Sequence, residues 1–145
     1  MDARFRPHNM HRVDPDRFSD LDPNLSELKR LPLVYRFPLL GRLLKIPAGI
    51  YTVTGGRQIG KTTVLKQWMS DLLSSGVQPK QIVYFTGELI DDHHSLIRIL
   101  SEELSIRTIS KKAFCAIDEI TFIRDWERGI KYLADSGQPK LRPDY

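Results

Sequence analysis

Apolar residues alternate between strand-like and helix-like spacing along most of the chain. Three short runs rich in β-branched and aromatic residues predict buried strands, at residues 50–54, 82–86 and 113–117. Each run is followed by apolar residues at helical spacing, which predict helices ending near Gly76, Leu104 and Gly137. This alternation predicts an α/β fold with a parallel sheet, right-handed crossovers and helices on both faces.

The first 45 residues follow a different pattern. Residues 1–30 carry six basic side chains, six acidic ones and three prolines, a composition typical of poorly ordered segments. Asp22 and Pro23 nevertheless predict a helix start, with Asp22 as the cap and Pro23 as the first helical residue. Leucines between residues 25 and 44 indicate one or two short amphipathic helices. We therefore expect an N-terminal arm with short helices (residues 1–45), a core (46–136) and an irregular tail (137–145).

The turn between the first predicted strand and its helix matches G-x-x-x-x-G-K-[ST], the P-loop motif. Glycines let backbone N–H groups curl around an anion, and the start of the helix adds further N–H groups and a positive dipole. Lys61 is suited to bind the β- and γ-phosphates, and the Thr62 hydroxyl to ligate Mg²⁺. The motif predicts a nucleotide-binding site formed by Gly55, Gly56, Arg57, Gln58, Ile59, Gly60, Lys61, Thr62 and Thr63.

Two adjacent carboxylates follow the third predicted strand. Asp118 and Glu119 come directly after the apolar run 113–117, as in a Walker B strand. Such a pair is otherwise a common way to begin a loop or to cap a helix. Because a P-loop precedes it, we expect Asp118 to hold Mg²⁺ and Glu119 to act as the base that polarises the attacking water. Glu119 and Lys61 are thus the predicted catalytic residues.

Composition narrows the class of protein. The 145 residues, 41% of them hydrophobic, are enough for one core. No apolar run approaches the roughly 20 residues needed to span a bilayer, and the N-terminus lacks a signal-peptide core. We therefore expect a cytoplasmic protein without membrane contact. The single cysteine, Cys115, lies in an apolar run and is expected to be a buried packing residue.

Two groups of charged residues raise the question of a nucleic-acid site and of a metal site. Residues 31–80 carry seven basic side chains and one acidic one, within a net charge of +4. A nucleic-acid patch is conceivable there, but a solvated basic face is the favoured interpretation for Arg36, Arg42, Lys45, Lys66 and Lys80. The acids and histidines of residues 88–94 fit no standard metal motif. Helix capping by Asp91 or Asp92 is favoured over a catalytic or sensing role beside the nucleotide site.

Two sequence blocks resemble a known family. Residues 54–63, T-G-G-R-Q-I-G-K-T-T, resemble the GxRQxGKTT P-loop of prokaryotic AAA-superfamily ATPases of unassigned cellular role. Residues 117–127 are similar to the same family's DEI…dWE block, and the resemblance covers roughly residues 28–136. It implies an AAA-type P-loop core with a three-layer parallel sheet, ATP as ligand and Mg²⁺ as cofactor. Family members often continue into a separate C-terminal domain.

The tail departs from this family. In an AAA core, a strand carrying a polar sensor residue lies between the P-loop strand and the Walker B strand. The tail has two prolines and few apolar residues, which make it a poor central strand. We therefore expect a core that is incomplete at the C-terminus, with the first and third strands lacking their common neighbour. Either the chain is a shortened version of a longer ATPase, or another chain or a second copy fills the gap.

Three functions remain open at this stage. The leading hypothesis is an ATP-binding AAA-type domain whose intact relatives hydrolyse ATP with Mg²⁺. A P-loop small-molecule kinase is a second hypothesis, although an Asp–Glu pair on a distant strand is typical of water activation. A catalytically inactive nucleotide-binding fragment or regulator is the third. Homo-oligomerisation is possible under each of them.

Overall fold

A computed structural model of the 145-residue chain describes residues 2–33, 36, 38–43, 49–54, 60–105 and 112–136. Within these residues, short 3₁₀ turns connect six helices and two strands. In chain order, these elements are α1 (Phe18–Leu21), α2 (Pro23–Leu28), α3 (Leu39–Leu43), α4 (Lys61–Ser74), β1 (Ile82–Thr86), α5 (His93–Ser105), β2 (Phe114–Asp118) and α6 (Trp126–Asp135). The predicted tail at 137–145 lies outside the described residues.

The two strands form a parallel sheet. Ile82 lies opposite Phe114 and Thr86 lies opposite Asp118, so both strands end at the same edge of the sheet. Parallel neighbours need a crossover, and α5 provides it. The α/β class predicted from the sequence is therefore confirmed, on a sheet of two strands in the described part of the chain.

Helices cover both faces of this sheet. Val83 and Phe85 point to a cluster formed with α5 and α6, whereas Ile82 and Tyr84 point to a cluster formed with α4 and the arm. Successive residues of a strand point to opposite faces, so these buried strands must be apolar on both sides. Gly129 of α6 lies against α5, where an added Cβ would be 3.2 Å from Leu96. The half-buried Trp68, Trp126 and Cys115 pack against these clusters, as predicted for core residues.

The first predicted strand does not form. Residues 50–54 belong to no strand, and Tyr51 and Val53 are 42% and 38% exposed. The prediction of a buried strand at 50–54 is therefore wrong for this structure. A strand is stabilised by pairing with a neighbour and by burial of its side chains. The apolar pattern of residues 50–54 fits a strand, but no described strand lies beside them.

The arm is ordered, which corrects the expectation raised by its charge and prolines. Phe5 packs edge-on against Phe85 at 4.9 Å between ring centroids, and Phe18 is 2% exposed. Asp22 caps α2 by accepting hydrogen bonds from the backbone N–H groups of Asn24 and Leu25, as predicted. Buried aromatic rings and a helix cap thus help to order a segment that is polar on average.

The arm also covers the outer edge of β1. The Asn9 side chain accepts a hydrogen bond from the Tyr84 N–H at 2.7 Å and donates one to the Tyr84 C=O at 2.8 Å. His11 Nε2 and Arg12 Nε both donate to the Ile82 C=O. These side chains take the place of a neighbouring strand, because buried backbone groups need hydrogen-bond partners.

The helix ends follow local sequence signals. Helix α4 ends where Gly76 adopts φ +96°, with Val77 N–H bonded to the Leu72 carbonyl and Gly76 N–H to the Leu73 carbonyl. This Schellman arrangement confirms the predicted stop at Gly76. Asp92 caps α5 by accepting from the Ser95 N–H at 2.9 Å, which confirms the capping interpretation for this residue. No helix in the described ranges has the length and apolar character needed to cross a membrane.

Candidate nucleotide and metal site

The described part of the P-loop is its last turn and the start of α4. Gly60 adopts φ +88°, a conformation that favours glycine, and Lys61 is the first residue of the helix. Lys61, Thr62 and Thr63 are all half-buried. The predicted phosphate-binding residues Gly55, Gly56, Arg57, Gln58 and Ile59 lie outside the described residues. The structure thus describes the helix start and the lysine of the predicted site.

Thr62 and Asp118, the two predicted metal ligands, are in direct contact. The Thr62 hydroxyl donates to Asp118 Oδ2 at 2.5 Å, although the residues are 56 positions apart in the chain. Parallel β1 and β2 put Asp118 at the carboxyl edge of the sheet, and α4 begins beside that edge. Asp118 is 7% exposed, and its other oxygen accepts from the Glu119 N–H at 3.0 Å.

Tyr84 is a third partner of this pair, and no sequence motif predicts it. Its hydroxyl donates to Asp118 Oδ2 at 2.6 Å, so one carboxylate oxygen accepts from both Tyr84 and Thr62. Burial raises the pKa of the Tyr84 phenol, and the hydrogen bond to the Asp118 carboxylate raises it further. Tyr84 therefore stays a protonated donor across the physiological pH range.

Glu119, the predicted base, lies at the turn after β2. Its side chain is exposed, and its backbone is left-handed at φ 51°, which is uncommon for a residue other than glycine. Gly87 lies beneath it, and a Cβ added at Gly87 would be 2.2 Å from the Glu119 carbonyl oxygen. Since real Cβ atoms do not approach so closely, only glycine at position 87 allows the turn to hold Glu119 here.

A buried ion pair lies against the ring of Tyr84, on the side of that residue that faces the arm. Lys66 Nζ bonds Asp22 Oδ1 at 2.5 Å, and both side chains are 0% exposed. Nζ also lies 3.3 Å from the carbonyl oxygen and from Nδ1 of His8, and 4.1 Å from the centre of the Tyr84 ring. Burial lowers the pKa of Lys66, and the bond to Asp22 opposes that shift. Lys66 is therefore not part of a surface basic face, contrary to its grouping with the other cations of residues 31–80.

The residues present fit a magnesium ion. Mg²⁺ prefers oxygen ligands, and the cluster offers the Thr62 hydroxyl and the Asp118 carboxylate within hydrogen-bond distance of each other. A hydroxyl that donates its proton to a carboxylate keeps its oxygen lone pairs available for a metal. The described residues contain no group of three histidine, cysteine or acidic side chains that could hold a metal by themselves. This donor set therefore suits an ion that arrives with a phosphate ligand.

The histidines at the start of α5 belong to no group of three potential metal ligands among the described residues. The His93 and His94 rings stack on each other, with 4.0 Å between their centroids, and Asp92 is occupied as the helix cap. Burial of one imidazole face against its neighbour and capping by the acid account for the polar residues at 92–94. The capping interpretation of this segment therefore stands.

Comparison with known proteins agrees with this geometry. A family model described as an AAA domain matches residues 48–142, about two thirds of the chain. The match includes both the P-loop and the Asp118–Glu119 pair. No curated protein and no solved structure matches the chain. Taken together, the matched range and the motifs inside it show that this chain belongs to the AAA domain family.

Proposed function

We propose that this domain binds ATP together with Mg²⁺ and that its site is built for hydrolysis of the γ-phosphate. The observation that supports the proposal best is the 2.5 Å hydrogen bond between Thr62 and Asp118. It joins a residue of the P-loop helix to a residue of the following Walker B strand, two elements that are adjacent only in the folded chain. Family membership supports nucleotide binding independently.

Each residue has a definite task under this proposal. The start of α4 would present N–H groups to the phosphates, together with the glycines that the motif places before it, and Lys61 would bind the β- and γ-phosphates through its ammonium group. Thr62 and Asp118 are the residues that hold the metal. Glu119, exposed at the carboxyl edge of the sheet, orients a water molecule for in-line attack. Bound Mg²⁺ supplies positive charge that neutralises the phosphate oxygens.

Nucleotide binding is tested by calorimetry with ATP and MgCl₂. We expect wild-type protein to bind and Lys61→Ala to lose most of its affinity, because the ammonium group that pairs with the phosphates is gone. Lys131→Ala is the matched control, since it removes a lysine exposed on α6. Equal affinity of the Lys61 variant and wild type, or no binding by wild type, would refute the assignment of the P-loop.

Hydrolysis is tested by phosphate release from saturating ATP. Glu119→Gln is expected to bind ATP normally and to lose turnover by about 100-fold or more, within the range of general-base contributions. Glu102→Gln, an exposed acid on α5, is the matched control. If wild type binds ATP but releases no phosphate, the domain is a nucleotide-binding regulator rather than an ATPase. Phosphate transfer to an added small-molecule acceptor would instead favour a kinase.

A further inference from the structure

Tyr84 connects the metal-ligand pair to the N-terminal arm. Its hydroxyl reaches Asp118 Oδ2, and the face of its ring lies against Lys66 Nζ. We propose that Tyr84 is a positioning residue for the metal ligand Asp118, and that the arm holds Tyr84 in place through the Asp22–Lys66 ion pair. This inference rests on the proposed binding of Mg²⁺ and ATP.

The hydrogen bonds determine the orientation of the Asp118 carboxylate. Oδ1 accepts from the Glu119 N–H at 3.0 Å, and Oδ2 accepts from Thr62 and Tyr84 at 2.5 and 2.6 Å. Donors on both oxygens leave the carboxylate no free rotation. Thr62 belongs to the metal-binding set itself, so Tyr84 is the side-chain donor that is free to act only as a support. Partners of this kind orient metal ligands and commonly change metal affinity by about 10–100-fold.

The arm limits how far Tyr84 can move. Tyr84 is 1% exposed, its backbone is paired with Asn9, and its ring faces Lys66. Lys66 is in turn held by Asp22, whose other oxygen caps α2. A shift of the Tyr84 ring toward the arm would therefore press on Lys66 and disturb a fully buried ion pair, which is costly because the charges have no access to water. Arm and sheet thus hold the hydroxyl where Asp118 needs it.

The test is the effect of Mg²⁺ on nucleotide affinity in Tyr84→Phe. The Kd of a fluorescent ATP analogue is measured with excess MgCl₂ and with EDTA. The Kd in EDTA divided by the Kd in MgCl₂ gives the contribution of the metal. We expect this ratio to fall by about 10-fold in Tyr84→Phe, with the EDTA value unchanged, because only the support of the metal ligand is lost. Tyr132→Phe, which removes a hydroxyl from a side chain 57% exposed on α6, is expected to match wild type.

A second variant tests the link to the arm. Asp22→Asn keeps an oxygen for the α2 cap and removes the charge that holds Lys66, and we expect a smaller fall of the same ratio. Asp22→Asn also tests the positioning of Tyr84 if Tyr84→Phe does not fold. Circular dichroism on the same samples shows whether each variant is folded. An unchanged ratio in folded Tyr84→Phe, or an equal loss of affinity with MgCl₂ and with EDTA, overturns the positioning role alone. A wild type that binds no nucleotide overturns the proposed function and this role together.

Discussion

The buried Lys66–Asp22 pair allows a quantitative prediction. In Lys66→Met the methionine fills the space of the lysine stem, but Asp22 Oδ1 loses its partner while its side chain stays 0% exposed. Breaking a buried pair from one side costs about 3–5 kcal/mol. Asp22 Oδ2 still accepts two backbone hydrogen bonds, so the lower end, about 3 kcal/mol, is the better expectation. That is a large share of the roughly 5–15 kcal/mol by which a typical domain is stable.

Chemical denaturation followed by circular dichroism measures this loss. The matched control is Lys29→Met, because Lys29 and Asp20 also form a lysine–aspartate pair, but their side chains are 51% and 52% exposed. Exposed pairs contribute little since water solvates both charges, so we expect the control to unfold at the wild-type denaturant concentration.

The double variant Lys66→Met with Asp22→Asn sharpens the test. It replaces the unpaired carboxylate with a neutral amide that still caps α2, so it should be more stable than Lys66→Met alone. Such a reversal is expected only if the cost arises from an uncompensated buried charge. A loss below about 1 kcal/mol in Lys66→Met, or a double variant less stable than the single one, would refute this explanation.

Three further predictions concern the elements around the site. Gly87→Ala places a Cβ 2.2 Å from the Glu119 carbonyl, so we expect about 1–3 kcal/mol less stability and a slower phosphate release, read by denaturation and by the hydrolysis assay. Asn9→Ala leaves the Tyr84 N–H and C=O unpaired, and hydrogen exchange should show the Tyr84 amide losing its protection while Val83, bonded within the sheet, keeps its own. Burial lowers the pKa of His11 to about 4, below the value of about 6.5 in an unfolded chain. Between these values only the unfolded chain takes up the proton, so the free energy of unfolding should fall by up to about 3 kcal/mol from pH 7 to pH 4, and His11→Gln should flatten that dependence.

Local signals predicted the parts of this fold that depend on neighbouring residues. Gly76 ends α4 and Asp22 caps α2 because each acts on backbone groups within a few positions in the chain. The two paired strands were predicted from an equally local signal, because an apolar run of five residues indicates a buried strand. Residues 50–54 carry the same pattern without forming a strand, because pairing depends on a partner that the run itself does not encode.

The site was predictable in its motif residues and not in their support. Thr62 and Asp118 were expected to meet, because a P-loop and a Walker B strand serve one ligand. Tyr84 reads as one more aromatic residue in a buried strand, and only the parallel register puts its hydroxyl beside Asp118. The sequence pattern placed Lys66 on a solvated basic face, because the charges and prolines of residues 1–22 gave no apolar pattern that would predict its burial against Asp22. These contacts join residues 34–44 positions apart, which no local pattern records.

The side chains on the outer edge of β1 make the two edges of the sheet unequal. Asn9, His11 and Arg12 already satisfy the carbonyl of Ile82 and both backbone groups of Tyr84 on that edge. A strand arriving there would have to displace them and leave buried polar groups unpaired. Among the described residues, the outer edge of β1 is therefore closed to a further strand, and no described strand pairs with the other edge of β2, the strand that ends in Asp118. The arm thus terminates the sheet at β1, and the edge without a described strand partner belongs to the strand that carries the proposed metal ligand.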